Sequence, residues 1–405
     1  MPSDEEIGFT CKDSARQADH GVRMEFSTGQ RTRTTSREFS LSAFAVTALL
    51  AGACGSNHEN QTSPEASSRV DELFSTFTDG AQPGAAVMVI KDGEIMHARG
   101  YGFANLDTQQ AIDPNTAFRL GSVSKQFTAL AIMQLAERGK LSFDDLVGKY
   151  VPELAVYEGV TLRHLMTHTG GLPDYYDVID TSEGMPSNAD AAELLGKMAS
   201  PVFPPGDHYE YSNPGYDVLA NVVEAASGLS LAEYSRQNIF APAGMSTTVI
   251  HDHHHPEIAN RAIGFDATVE GFVPNDENPL NGIVGSGGVY STLNDMYRYD
   301  QALYGETLIS QSMLEQAWTS ATDASGKPIG YGFGWRLDEY RDHRRVFHGG
   351  SWVGFRALFA RYPDVGLSIV LLSNRSDFVP RINGDSANNY YGHMDKVSDL
   401  YLDAD

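Results

Sequence analysis

Cysteine is nearly absent from this chain of 405 residues: Cys11 and Cys54 are the two it has. That excludes a disulfide framework and a cysteine-built zinc cluster. Basic residues are also scarce, with 29 lysines and arginines against 53 aspartates and glutamates. The formal charge of −24 argues against nucleic acid, whose phosphates it would repel. It argues equally against electrostatic docking on an anionic bilayer. A spanning helix needs roughly 20 apolar residues, and the run from Leu41 to Gly52 stops well short of that. No repeat at a solenoid or propeller period is visible. What is present is a hydrophobic content of 41% and an aromatic content of 10%, enough to core one large domain or two smaller ones.

The N-terminal part does not read as part of a fold. Residues 1–40 are polar and lack apolar periodicity. Arg31, Arg33 and Arg37 then precede the apolar run, and Ala53-Cys54-Gly55 follows it. Basic, apolar and small residues in that order make a secretory signal. Ala51-Gly52-Ala53-Cys54 resembles a bacterial lipoprotein cleavage site, with Ala51 where such sites usually carry leucine. The resemblance implies a lipid on Cys54, which would become the first residue of the mature chain. A signal placed this far in implies translation from Met24, which would remove Cys11. Residues 1–53 are thus expected to be extension and signal, 54–67 a polar tether, and 68–405 the folded domain. The expected location is the cell envelope or periplasm, with the membrane reached only through the lipid.

Within the folded part, Val70, Leu73, Phe74 and Phe77 give residues 69–78 an amphipathic helical pattern. Two apolar runs, 85–90 and 94–102, flank Asp92-Gly93, a hairpin signal. From Ser142 to about Gly288 helical patterns alternate with loops, as at 191–198, 218–227 and 231–239. Strands return at 331–337, 345–347, 355–361 and 367–373, the last two joined by Pro363-Asp364-Val365-Gly366, and a helix closes the chain at 394–402. Strands at both ends with helices between predict an α+β fold. In it, one antiparallel sheet is built from both termini, and a largely helical insertion occupies about 142–288.

The chemistry gathers at Leu120-Gly121-Ser122-Val123-Ser124-Lys125. There a serine and a lysine three apart open a long apolar helix that Gly139 stops. Residues three apart share a helix face, so the Lys125 amine can reach the Ser122 hydroxyl. Serine needs a base to become a nucleophile, and a lysine desolvated among apolar neighbours has the lowered pKa that suits one. The helix N-terminus adds N–H groups and positive potential for an oxyanion. The pair alone reads more readily as a helix cap and a solvated lysine.

Two further stretches supply what such a serine would need. Tyr211-Ser212-Asn213 follows the rigid approach Phe203-Pro204-Pro205-Gly206-Asp207. A tyrosine beside Lys125 can pass a proton to a leaving group, and Asn213 offers both a donor and an acceptor. In Phe347-His348-Gly349-Gly350-Ser351-Trp352 the two glycines let a ligand approach the strand closely. The Ser351 N–H can then pair with that of Ser122 as an oxyanion hole, with His348 beside the reacting carbonyl.

In order, Ser122/Lys125, Tyr211/Asn213 and His348/Gly350 resemble the three motifs of the serine β-lactamase/D,D-peptidase superfamily, nearest its class C-like branch of esterases and D-aminopeptidases. Runs at 165–172, 285–292 and 371–375 are also similar to that family, and the likeness covers about 68–405. It implies that Ser122 is acylated, that Lys125 and Tyr211 shuttle protons, and that water releases the acyl group, with no cofactor and no metal. True class C β-lactamases and most D,D-peptidases have lysine where this chain has His348. The resemblance therefore favours esters, amides or D-amino-acid peptides over penicillins. A D,D-carboxypeptidase or β-lactamase is the alternative enzyme, and a catalytically silent envelope binding protein the alternative of another class. His251 and His253 to His255 read as a solvated loop rather than a metal site, and His164 with His168 as structural.

Overall fold

The computed structural model describes residues 64–182, 184–252, 257–378 and 390–402. Cys54, the signal, most of the tether and His253 to His255 lie outside that range. Asp92 and Gly93 both have positive φ (51° and 82°), which lets the chain reverse tightly between β1 (Ala85–Lys91) and β2 (Glu94–Tyr101). The other edge of β1 pairs with β6 (Leu367–Ser373), from the far end of the chain. Before β6 come β3 (Arg336–Tyr340), β4 (His343–Trp352) and β5 (Phe355–Tyr362). The sheet runs β3-β4-β5-β6-β1-β2 with every neighbour antiparallel. One sheet made from both ends of the domain is thus what forms, as the alternation of strands and helices predicts.

Both faces of the sheet are covered. On one lie α1 (Pro64–Leu73) and the closing α4 (Tyr390–Leu402), packing Val70, Phe74, Val397 and Tyr401 against Val87, Leu358 and Ile369. On the other lies the helix Leu293–Ala302, against β1 and β6, and packed on it through Phe127 and Tyr299 is α2 (Lys125–Glu137), buried without a break from Lys125 to Leu135. A helix apolar on all sides belongs inside a fold, where each large side chain such as Phe127 or Leu130 contributes about 2 kcal/mol. Packed on α2 is α3 (Asn213–Ser227), which starts where Ser212 Oγ accepts from the Gly215 N–H and ends at Gly228, φ 75°.

One expectation changes. The strand foreseen at 331–337 begins only at Arg336. Gly332 and Gly334 lie so close to other backbone that a Cβ would meet the Ala317 and Lys125 carbonyl oxygens at 2.0 and 2.8 Å. The preceding stretch is therefore laid against α2 instead of into a ladder. The middle region is largely helical, with short strands set into it. Val249–Ile250 joins Phe118–Arg119 and Val289–Ser291 in a small sheet beside Ser122, and Phe265–Thr268 pairs with Gly271–Pro274.

Candidate active site

Ser122 sits in a single tight turn, Gly121–Ser124, immediately before α2, and its side chain makes no helix cap. Its hydroxyl is left for other partners. Lys125, in the first turn of α2, is completely buried. Its Nζ lies 3.1 Å from Ser122 Oγ, 2.8 Å from Asn213 Oδ1 and 2.9 Å from the Ser286 carbonyl oxygen. The last two can only accept hydrogen bonds. A neutral amine keeps its two hydrogens on them and turns its lone pair toward Ser122. Burial lowers the Lys125 pKa to about 7, helped by the positive charge of Arg336 and opposed by Asp217.

Tyr211 stands over the same amine, ring centroid 4.9 Å from Nζ, with its phenol in the electrostatic reach of Ser122. Burial pushes that phenol up to about 12, with Ser122 and Arg336 pulling the other way. At neutral pH Tyr211 is therefore a proton donor, and Lys125 is the group poised to accept one.

The strand β4 passes the turn almost backbone to backbone. A Cβ on Gly350 would lie 1.9 Å from the Leu120 carbonyl oxygen and 3.0 Å from Ser122 N, and a Cβ on Gly121 2.8 Å from Ser351 N. The Ser122 and Ser351 amides are thereby drawn to one place, the arrangement an oxyanion requires. Gly350→Ala is expected to force these backbones apart and to lower kcat by about 10²-fold, measured at saturating ester.

His348 differs from its expected position beside the carbonyl. It is buried, Nδ1–H donates to the Gly349 carbonyl at 2.7 Å, and Nε2 accepts from the Tyr331 hydroxyl at 2.9 Å. Burial, then Arg336 and Lys125, hold it well below the ordinary histidine range. A neutral ring with both nitrogens engaged offers a substrate neither a cation nor a donor. The cause is the Tyr331 loop, which covers the ring.

Several residues here went unforeseen. Asp217, four residues past Asn213, is buried on α3. It accepts from Tyr175 and Tyr176 hydroxyls at 2.7 and 3.0 Å and from Ser286 N at 3.0 Å. Burial raises its pKa. It fixes the Ser286 segment whose carbonyl holds Lys125. His168 lies beneath Tyr211 with ring centroids 4.3 Å apart, its Nδ1 accepting from Ser212 N. Its backbone is left-handed, φ 58°. Structural is the right word for His164 as well, whose Nδ1 accepts from the Thr161 N–H in a capping box. Ser286 falls in the family-like run 285–292, but nothing in the sequence marks Asp217, whose partners are 40 or more residues away. In front of Ser122 opens a cleft of about 360 Å³ lined by Arg119, Tyr176, Asn213, Ser351 and Trp352 among others.

The family model described as Beta-lactamase matches residues 70–389. Penicillin-binding protein 4* of Bacillus subtilis is 36% identical over 321 residues, 75% of this chain and 71% of that protein. A D-aminopeptidase of Cereibacter sphaeroides is 30% identical over 302 residues, 72% of this chain. The chain spans only 57% of that aminopeptidase's length. Among solved structures, the octameric penicillin-binding protein homologue from Pyrococcus abyssi superposes with a TM-score of 0.68 at 30% identity, covering 77% of this chain and 73% of its own.

Proposed function

The chain belongs to the β-lactamase family, and from that premise we propose that Ser122 is the residue at which this serine hydrolase forms its acyl-enzyme on ester or amide substrates, D-amino-acid peptides among them. The observation that carries the assignment is the Lys125 amine, held by two obligate acceptors with its third direction on Ser122 Oγ. In acylation, neutral Lys125 takes the Ser122 proton as Oγ bonds to the substrate carbonyl carbon. The oxyanion rests on the Ser122 and Ser351 amides. As the carbon–leaving group bond breaks, Tyr211 gives its proton to the departing alcohol or amine and recovers one from the Lys125 ammonium. Water then attacks the ester carbon under the same base, and Ser122 leaves with the proton returned. General acid–base help of this kind contributes about 10²–10⁴-fold. His348, neutral and engaged, supplies no charge for a β-lactam carboxylate, which supports esters and amides over penicillins.

Trapping tests this assignment. Wild-type protein quenched during turnover of a p-nitrophenyl ester should carry one acyl group on the peptide containing Ser122, with little nitrocefin cleavage alongside. No adduct, or one on Ser124, would remove Ser122 from the role. The pH dependence supplies a second check. Protonated Lys125 is no base, so kcat/KM should be full above its pKa and fall as pH drops through about 7. A profile flat from pH 5 to 9 would contradict that.

We also propose export with a lipid anchor at Cys54, supported by the basic, apolar and small-residue order ending in Ala51-Gly52-Ala53-Cys54. No described helix is long and apolar enough to cross a bilayer. Radioactive palmitate should label the wild type and not Cys54→Ala, and equal labelling of the two would refute the anchor.

A further inference from the structure

Four arginines are buried among the described residues, and three of them grip a carboxylate. Arg345 holds Asp338 and Asp395, Arg361 holds Asp300, and Arg375 holds Asp377, each at 2.7–2.8 Å. The fourth, Arg119, has none. It is 2% exposed, and its Nε and Nη1 are buried without any hydrogen-bond partner. Its guanidinium rests between aromatic rings instead, 5.7 Å from the Tyr290 centroid and 6.0 Å from that of Trp352. Arg261 reaches the other side of the same tyrosine but is paired bidentately with Asp276, so the nearby carboxylate is already taken.

An unpaired buried cation is costly, and aromatic faces compensate only in part. Arg119 also lines the cleft in front of Ser122, three residues upstream of it. The side of the cleft it occupies can be assigned. Tyr211, which protonates the leaving group in the reading above, packs against His168, His348 and Arg336, none of which lines the cleft, whereas Arg119, Ser351 and Trp352 do. The leaving group therefore departs over Tyr211, and the acyl portion occupies the cleft. Trp352 is itself fixed, its Nε1 donating to Asn281 Oδ1 at 2.7 Å, so the wall carrying the guanidinium is preorganised.

We propose that Arg119 is a carboxylate receptor on the acyl side, and that this hydrolase acts on esters or amides whose acyl portion carries a carboxylate. A guanidinium is a good partner for a carboxylate, and one bound in the cleft would neutralise a charge that no carboxylate among the described residues pairs. The same charge disfavours an acyl portion bearing a free ammonium close to the scissile bond. The proposal rests on the serine hydrolase reading above, and the test separates the two.

The p-nitrophenyl monoesters of succinic, glutaric and adipic acids are compared with p-nitrophenyl hexanoate in wild type, Arg119→Gln and Arg119→Lys. Wild type should prefer at least one diacid monoester. That preference in kcat/KM should fall by about 10- to 100-fold in Arg119→Gln, mainly through KM, with partial recovery in Arg119→Lys. No preference in wild type, or an equal loss on both ester types, overturns the proposal. The first of these needs no variant to fold. Binding is measured separately in Ser122→Ala by titrating free adipate and glutarate, with calorimetry and Trp352 fluorescence as readouts, and should vanish when Arg119→Gln is added. Binding without wild-type turnover of any ester would leave the receptor standing and remove the hydrolase reading. Turnover of all esters alike, with no diacid binding, would do the reverse.

Discussion

Ser122→Ala should abolish ester turnover, lowering kcat by at least about 10⁴-fold while the protein still melts cooperatively near the wild-type temperature. The loss is large because in the proposed mechanism this hydroxyl forms the covalent bond, and nothing adjacent replaces it. Ser124, two residues on, is buried with its Oγ bonded to Val289 N, so it is not a substitute nucleophile. The fold should survive because Ser122 makes no helix cap and its removal leaves no void in the apolar core. What remains is the stabilisation supplied by the two amides and the cleft. Steady-state hydrolysis of p-nitrophenyl butyrate beside a thermal melt reads both. Retained turnover in the variant would end the covalent mechanism.

Lys125→Met is expected to cost about 10³-fold in kcat/KM and to erase the fall of activity below pH 7. Methionine fills a similar volume, but it leaves Asn213 Oδ1 and the Ser286 carbonyl without their shared donor. Each buried acceptor so stranded costs about 1–3 kcal/mol, so a drop in melting temperature should accompany the loss of rate. The pH profile separates these consequences. A variant that is merely less stable keeps the limb near pH 7, whereas one without the base loses it. A surviving limb would point to another titrating group, with Asp217 the first to examine, since it is buried and electrostatically linked to Lys125.

Much of this site is legible in the chain because its chemistry is local. Ser122 and Lys125 are three apart on one turn, and Tyr211 and Asn213 are fixed by the proline-rich approach and the Ser212 cap. The Asp92-Gly93 hairpin is equally local, since two positive φ angles and flanking apolar runs decide it. What could not be read is whatever depends on distant packing. His348 is part of a recognisable motif, yet whether its ring meets a substrate is decided by Tyr331, 17 residues earlier, which covers it. Asp217 looks like any polar residue on an amphipathic helix until two tyrosines from residues 175–176 converge on it. Arg119 stands beside the nucleophile in sequence. Its significance lies in partners that three other arginines have and it lacks.

The pairing of β1 with β6 brings Ala85 opposite Ser373. A chain leaving the ribosome, or being threaded through a narrow channel, can form the Asp92-Gly93 hairpin early but has no neighbour for its inner edge until almost the last strand has emerged. The same wait applies to Ser122, whose proposed oxyanion partner Ser351 lies on β4. Closing so long a loop is slow, and it comes last. The proposed nucleophile is therefore made early and armed late: until the C-terminal strands arrive, a nascent molecule holds a serine and a lysine without the second amide proposed to make them an enzyme.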